Sequence, residues 1–448
     1  MSTAREGEGS PFHNIPVVLL TKDEARGRRT EDRDLYSSGQ LFPVEINTEI
    51  GAKKADRIFH VINKLGHGTY GTVWLVEDTQ PPANAPSRWK AIKMHRQGTA
   101  DTDLQVSKEF KRAGISPEKA LTEYQVAIPY EQFPIRGGPG GKTTYTCSVL
   151  PLLGPRVDNR QVLRLSNDEE GSCSTRDDGN GQASSLFACR QIALALQKLH
   201  NMGIAHGDFR PANILYYLPH LDKLSQDEIM QVYGQPEAVE LENPEPFKEP
   251  DHLVFPAKCD VYALKEILAR KNLDLGFIGQ VPRAAVIDMG SAWHHSWEPR
   301  HSLIPVHYEA PECIICAGHI AFPDSRESVD GCLETDVLAE MEYFLGPIPT
   351  TYRNAWKERD EGKKTVFPSN PAHVGFLRYS ALKKWRKRHK RAKSPLHLVV
   401  MQSELPKEKA DMFLDLLRGV FRWFPDQRMS LEDILRHPFL QVNGTSSE

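Results

Sequence analysis

A glycine-rich segment near residue 66 restricts the fold of this chain more than any other stretch. Residues 59–64 alternate apolar and polar side chains, and a run with glycine at positions 66, 68 and 71 follows. Thr72, Val73 and Trp74 come directly after the last of these glycines. Because β-branched and aromatic residues favour a strand, the glycines are predicted to lie in a hairpin. A Rossmann crossover would need a helix at this point and is disfavoured.

The hairpin is suited to hold phosphate groups, because glycine lets backbone amides approach phosphate oxygens without an intervening side chain. Residues 89–94 predict a third strand that adds Ala91 and Lys93. The candidate nucleotide-binding residues of the hairpin itself are Leu65, Gly66, His67, Gly68, Thr69, Tyr70, Gly71 and Val73.

A second polar turn, at residues 206–215, carries the groups that phosphoryl transfer requires. It links a predicted helix to an apolar strand and contains Asp208, Arg210 and Asn213. Phosphoryl transfer from ATP depends on positioning and charge neutralisation more than on covalent help. We expect Asp208 to orient a substrate hydroxyl and accept its proton. Arg210 is expected to neutralise the transferring group, and Asn213 to hold Mg²⁺.

Six ordered motifs resemble those of eukaryotic protein kinases and together cover about residues 56–441. They are the glycine-rich turn, the strand of Lys93, a hinge at residues 150–155, the turn of Asp208, a strand ending in Asp288-Met289-Gly290, and residues 308–312 with Arg428 as their expected partner. The resemblance implies that Lys93 binds the α and β phosphates of ATP. It also implies that Pro151 and Leu153 contact adenine and that Asp288 chelates Mg²⁺.

The resemblance further requires a helical carboxylate that pairs with Lys93. Glu109, in a helix predicted at residues 107–113, and Glu123, in a helix that Ser116 and Pro117 would start, are the two candidates. We prefer Glu109, because residues 125–135 are better used as a strand paired with residues 143–150.

The fold class implied by the resemblance is α+β, a bilobal protein-kinase-like fold with a small antiparallel β-sheet lobe and a larger, mainly helical lobe. The expected domains are an N-terminal extension at 1–55, an N-lobe at 56–150, a C-lobe at 151–441 and a tail at 442–448. Inserts are expected in the C-lobe at about 167–185 and 217–281, since the first is rich in glycine and serine and the second is acidic and rich in proline.

Several segments are similar to the fungal branch of the SR-protein-specific kinase family, namely residues 65–74, 152–155, 206–208, 233–236 and 344–349. This similarity implies a serine/threonine kinase that uses Mg-ATP and phosphorylates serine in arginine/serine-rich splicing factors. We expect a monomer of the cytoplasm and nucleus with a protein substrate and without direct nucleic-acid or membrane binding.

The chain departs from the kinase pattern in three places. Gly207 replaces an arginine that grips a phosphorylated activation loop in many kinases, so that mode of switching is not expected. Arg210 replaces a lysine, which keeps the charge but changes its shape. Residues 313–340 are too short for the large helix that follows residues 308–312 in kinases. The alternative is therefore a nucleotide-binding pseudokinase or scaffold, or an incomplete gene model.

Composition and charge bear on nucleic-acid binding, membrane insertion, secretion and metal binding. A net charge of −3 over 448 residues gives no field that would attract nucleic acid. No apolar run approaches the ~20 residues of a membrane span, and residues 1–10 lack a signal-peptide core. Seven cysteines fit free thiols, and Cys313 and Cys316 have metal-ligand spacing without a second pair. The basic run at 383–391 is either a solvated face or a nuclear-import patch.

Overall fold

The computed structural model describes residues 15–52, 57–81, 87–99, 101–138, 141–157, 180–218, 220–273, 283–297, 310, 341–342, 344–359, 396–397, 400 and 405–441. The chain forms two compact units. The first consists of Met1–Ser184 and Pro211–Gly290, and the second of Ser185–Arg210 and Ser291–Glu448.

The strands of the described chain are, in order, β1 (Val18–Leu19), β2 (Glu49–Ala52), β3 (Arg57–Gly68), β4 (Gly71–Asp78), β5 (Trp89–His95), β6 (Glu131–Gly137), β7 (Thr143–Pro151), β8 (Ile204–Ala205), β9 (Ile214–Tyr217), β10 (Glu237–Glu240), β11 (His252–Val254), β12 (Arg283–Val286) and β13 (Trp293–His294). The helices are α1 (Asp34–Ser37), α2 (Asp101–Arg112), α3 (Pro117–Glu123), α4 (Asn180–Asn201), α5 (Gln226–Tyr233), α6 (Val261–Arg270), α7 (Thr350–Arg359), α8 (Lys407–Val420) and α9 (Leu431–Arg436).

An antiparallel sheet dominates the first unit, with strand order β2-β3-β4-β5-β7-β6. Gly68 pairs with Gly71, so the glycine-rich segment is a hairpin whose turn is Thr69 and Tyr70, as predicted. Gly71 has φ +143°, and a Cβ there would lie 2.0 Å from the Met94 carbonyl oxygen of β5. The third glycine is therefore required by the close approach of the next strand.

The segment after β9 packs on this sheet as part of the first unit. Its helices α5 and α6 contribute Ile229 and Leu264 to an apolar cluster that also contains Trp74 and Ile92 of the sheet. Ser225 forms a capping box with Glu228 at the start of α5. The sequence assigned this segment to the C-lobe as an insert, but the structure groups it with the sheet.

The second unit is mainly helical in its described part. Helix α4 confirms the helix predicted before the turn of Asp208, and β8 pairs with β13. Arg190 of α4 donates to the Leu435 carbonyl oxygen of α9 at 3.0 Å. Ser430 caps α9 by accepting from the Asp433 backbone N–H, as the sequence indicated. The predicted α+β class, with an antiparallel sheet and a mainly helical part, is confirmed.

Several predictions concern residues outside the described ranges. They include the paired cysteines 313 and 316, the shortened segment 313–340, the basic run 383–391 and Glu312, the expected partner of Arg428. Arg428 itself donates to the backbone carbonyls of Arg422 and Trp423, each at 3.1 Å. Within the described residues, no helix combines the length and apolar character that crossing a membrane requires.

Candidate active site

Lys93 is the centre of a buried charge cluster in the first unit. It lies on β5 directly opposite Val73 and is 7% exposed. Its ammonium donates to Asp103 Oδ2 at 2.9 Å and to Asp288 Oδ1 at 2.8 Å. Burial alone would lower the pKa of Lys93, but the two carboxylates outweigh it and the pKa is raised. Lys93 is therefore a fixed cation between two acids.

The helical partner of Lys93 is Asp103, so the preference for Glu109 was wrong, and Glu123 does not fill this role either. Glu109 pairs with Arg112 at 2.6 Å, and Glu123 lies 3.7 Å from Lys119. Helix α2 begins at Asp101, earlier than predicted, and so includes Asp103, whose side chain lies on the buried face of the helix. Glu109 is turned roughly 120° from that face, because a helix has 3.6 residues per turn.

A signal for Asp103 was present in the sequence. Asp103, Val106 and Phe110 follow the i, i+3, i+7 spacing of one helical face. The two apolar members are 0% exposed and Asp103 is 6% exposed. A carboxylate on the apolar face of a helix is buried, and a buried charge is costly unless a cation pairs with it. Lys93, which is 10 residues earlier in the chain, is that cation.

Asp288 and Asn213 are brought together by the pairing of β12 with β9. The Ile287 backbone N–H donates to the Asn213 carbonyl oxygen at 2.9 Å, and Asn213 is 5% exposed. Asp288 has φ +61°, a left-handed conformation that is costly for a residue with a side chain. Asp tolerates this conformation better than most residues, and backbone strain of this kind is concentrated at functional sites.

These two side chains fit Mg²⁺. The ion prefers hard oxygen donors and is usually held by one or two carboxylates together with substrate phosphates and water. Asp288 supplies a carboxylate and Asn213 a carboxamide oxygen. Among the described residues no group of three or more His, Cys, Asp or Glu side chains forms a metal cage. One carboxylate and one carboxamide oxygen are a donor set suited to an ion that phosphate and water also hold.

The tip of the glycine-rich turn is held against the same cluster. The Tyr70 carbonyl accepts from the Arg96 N–H at 2.9 Å and from Thr99 Oγ1 at 3.3 Å. The Lys93 ammonium lies 5.7 Å from the centroid of the Tyr70 ring. A Cβ on Gly290 would lie 3.2 Å from that ring, so glycine after Met289 leaves room for it. Tyr70 therefore lies beside Lys93.

The predicted adenine contacts lie along β7 and its exit. Ala91 pairs with Leu150, and Pro151 is opposite Lys90. Leu153 is 7% exposed, and its carbonyl accepts from the Tyr233 hydroxyl of α5 at 3.2 Å. Tyr233 is a hinge contact that sequence reasoning missed, because it comes from the segment interpreted as an insert.

The turn of Asp208 belongs to the second unit. Arg210 Nε lies 3.0 Å from Asp208 Oδ1 and 3.1 Å from Oδ2, and the Asp208 N–H donates to His206 Nδ1 at 3.2 Å. Gly207 has φ +77°, and a Cβ there would lie 1.9 Å from the Ser291 carbonyl oxygen. No arginine fits at this position, which gives a steric reason for the departure seen in the sequence.

Comparison with protein-family models finds no match. A serine/threonine-protein kinase SRPK of Physarum polycephalum is 24% identical over 446 residues, which cover 92% of this chain and 90% of the relative. A serine/threonine protein kinase of Aspergillus fumigatus is 22% identical and covers 95% of this chain and 93% of the relative. SRSF protein kinase 3 of Mus musculus is 27% identical over 212 residues, 46% of this chain and 32% of that longer protein.

A solved crystal structure of a kinase domain matches with a TM-score of 0.48 at 18% identity, over 90% of this chain and 100% of that domain.

The chain is a protein serine/threonine kinase, as the sequence motifs predicted. The curated relatives that match most of its length include a kinase of SRPK type, and the mouse relative carries the name of an SRSF protein kinase.

Proposed function

We propose that this kinase transfers the γ-phosphoryl group of ATP, with Mg²⁺, to serine side chains of arginine/serine-rich proteins. The observation that carries the ATP-dependent part is the buried cluster of Lys93 with Asp103 and Asp288. A cation held by two acids beside a glycine-rich turn is arranged to receive the phosphates of a nucleotide. The substrate class rests on the motif resemblance and on the name of the mouse relative.

Each residue of the cluster has a separate task in this proposal. Lys93, kept charged by its carboxylates, neutralises the α and β phosphates. The backbone amides of residues 66–71 face the phosphate oxygens, since glycine leaves them accessible. Asp288 and Asn213 would hold Mg²⁺, which would neutralise charge on the β and γ phosphates when bound. Asp288 would then exchange part of its contact with Lys93 for the metal, and Asp103 would keep Lys93 in place.

Asp208 and Arg210 act on the transferred group. The substrate serine Oγ forms a bond to the γ-phosphorus while the bond from that phosphorus to the β–γ bridging oxygen breaks. The serine proton passes to Asp208, and ADP leaves with the bridging oxygen. Arg210, which contacts both oxygens of Asp208 in the structure, turns toward the transferring phosphoryl oxygens and neutralises their charge.

The test is transfer of radiolabel from γ-labelled ATP to a peptide of arginine/serine repeats. We expect labelling by the 448-residue chain, none by Asp208→Asn, and none of a peptide in which alanine replaces serine. Labelling that is equal for the wild type and Asp208→Asn would contradict the role of Asp208 in the transfer. A second peptide with lysine in place of arginine tests the substrate class, and equal labelling of both peptides would contradict it.

A further inference from the structure

Lys64 is a buried lysine on β3, two residues before the first glycine of the glycine-rich segment. It precedes Leu65 on β3, lies opposite Trp74 of β4 and is 0% exposed. Its ammonium lies 5.4 Å from the centroid of the Trp74 ring, and its carbonyl accepts from the Ala257 N–H at 2.7 Å. Both contacts lie just before the glycine-rich segment.

The charge of Lys64 is balanced from the N-terminal extension. Glu31 forms an ion pair with the ammonium, and its side chain is 4% exposed. The other oxygen of Glu31 accepts from the Tyr36 hydroxyl at 2.5 Å. Burial lowers the pKa of Lys64 and Glu31 opposes that effect only in part, so the pKa stays below its ordinary value. Without Glu31 the ammonium would be strongly disfavoured at this position.

A second link joins the extension to the turn itself. His67 lies between the first two glycines of the turn. Burial and then the Lys64 ammonium lower the pKa of His67, while Glu31 and the Arg29 backbone oppose that shift. Two residues close together in the extension therefore interact with this segment: Glu31 with Lys64, and the Arg29 backbone with His67.

The same part of the extension is anchored to the segment that packs behind the sheet. Arg33 donates to both oxygens of Glu249, at 2.8 and 2.6 Å, and Ser37 Oγ donates to Glu249 Oε1 at 2.6 Å. Arg28 contacts Glu237 at 2.5 Å. Residues 28–37, which we name the brace, thus connect the segment of residues 237–249 to the glycine-rich turn.

We infer that Glu31 is a positioning residue for nucleotide binding and that the brace holds the glycine-rich turn in place. The inference rests on the proposed use of ATP. Neutralising Glu31 would leave Lys64 as a buried, uncompensated charge, which proteins avoid by moving the group toward water or by releasing its proton. Movement of Lys64 toward water would shift the backbone immediately before Leu65 and Gly66, the residues of β3 that lead into the glycine-rich turn, and loss of its proton would remove the ion pair with the brace.

Glu31→Gln is the variant to measure, because glutamine keeps the size of the side chain and its contact with Tyr36. We expect the KM for ATP to rise on the order of tenfold, the factor that corresponds to a modest loss of binding free energy. The KM for the peptide should stay unchanged. The double variant Glu31→Gln with Lys64→Met removes both charges and should bring the KM for ATP back to within about twofold of the wild type.

Two controls separate positioning from loss of stability. Lys22→Ala removes an exposed pair with Glu242 elsewhere in the extension and should leave the KM for ATP unchanged. Phe133→Leu loosens the core of β6 without contacting the brace and should lower the melting temperature alone. If Phe133→Leu raises the KM for ATP as much as Glu31→Gln does at equal loss of melting temperature, the positioning role is wrong.

Amide hydrogen exchange gives a readout that does not depend on turnover. Residues 65–71 should exchange faster in Glu31→Gln than in the wild type and return to the wild-type rate in the double variant. Unchanged exchange in Glu31→Gln would overturn the inference even if the wild type phosphorylates its peptide. A wild type that neither binds nor uses ATP would instead overturn the proposed function, and the exchange result would still decide whether the brace positions the turn.

Discussion

Two lysines of the same sheet are buried to similar extents and differ in how many acids surround them. Lys93 is 7% exposed and contacts Asp103 and Asp288, whereas Lys64 is 0% exposed and, within the described part of the chain, pairs with one acid, Glu31. The carboxylates raise the pKa of Lys93 above its ordinary value despite burial. In Lys64 burial prevails over its one carboxylate, and the pKa is lowered.

The difference in net charge distinguishes the cluster of Lys93, which is suited to bind a ligand, from the pair of Lys64 and Glu31, which is structural. Lys64 and Glu31 cancel each other and leave no charge for a ligand. Around Lys93 one negative charge is in excess, so Asp288 can turn to a metal ion while Asp103 still holds the lysine. Surplus charge at a buried position costs stability, and such arrangements are concentrated at functional sites.

The largest effect is expected from removing either member of the Lys93–Asp288 contact. Lys93→Met and Asp288→Asn should each lower phosphoryl transfer on the order of 10²- to 10³-fold, the range seen when one group that stabilises transition-state charge is lost. Each should also abolish the rise in melting temperature that Mg-ATP gives by mass action.

The matched control is Lys119→Met. Lys119 has a half-exposed side chain whose ammonium lies 3.7 Å from the Glu123 carboxylate. It should keep both the activity and the thermal shift. A full thermal shift in both Lys93→Met and Asp288→Asn would contradict the assignment of the nucleotide site.

The second expected effect contrasts the two lysines directly. Glu31→Gln leaves Lys64 without a carboxylate and should lower the free energy of unfolding by roughly 3 kcal/mol, as for other broken buried ion pairs. Asp103→Asn leaves Lys93 with Asp288, so its loss should be clearly smaller. Urea unfolding of both variants measures this, and equal losses would show that the number of carboxylates does not set the stability of these lysines.

A third buried lysine extends the comparison to pH. Lys90 is 3% exposed, lies 4.6 Å from the Tyr130 ring centroid, and has its pKa lowered to about 8, by burial first and then by Arg57. Between about pH 8 and 10.5 the unfolded chain keeps a proton that the folded chain has released. Stability should therefore rise with pH across this window, by roughly 2–3 kcal/mol in total.

Lys90→Met removes this titration. The variant should be more stable than the wild type near pH 7, and the difference should vanish as the pH approaches 10.5. The measurement is urea unfolding at a series of pH values. A slope in Lys90→Met equal to that of the wild type would assign the pH dependence to other groups.

The sequence predicted those parts of the molecule in which local pattern and chemistry agree. The hairpin of residues 66–71, the strand of Lys93 and helix α4 each follow from neighbouring residues, and the structure contains all three. Lys93 and Asp288, which the motif resemblance placed in one nucleotide site, are in contact, while their roles toward ATP and Mg²⁺ stay predictions. These features depend on periodicity, turn chemistry and motif order, which one sequence contains.

The parts that were missed depend on contacts between distant segments. Glu31 and Lys64 are 33 residues apart, and Tyr233 and Leu153 are 80 apart. Nothing in the local pattern around residues 225–260 distinguishes a solvated insert from a segment that packs on a sheet, because its apolar residues are spaced among acids and prolines. The start of α2 was also misplaced, and an error of a few residues was enough to exchange Asp103 for Glu109.

That exchange is the basis of the last prediction, which has the smallest expected effect. Asp103→Asn keeps the shape of the side chain but removes its charge, so that of the carboxylates described around Lys93 Asp288 alone remains. Once Asp288 turns to a metal ion, Lys93 would have no acid to fix it, and activity should fall about tenfold, equivalent to about 1.4 kcal/mol of transition-state stabilisation.

Glu109→Gln and Glu123→Gln are the matched controls and should leave activity unchanged, because neither carboxylate contacts Lys93. Steady-state rates for the three variants at saturating peptide provide the measurement. A tenfold loss in Glu109→Gln with none in Asp103→Asn would mean that α2 rotates by about 120° when nucleotide binds, and that the carboxylate first expected from the sequence acts in the bound state.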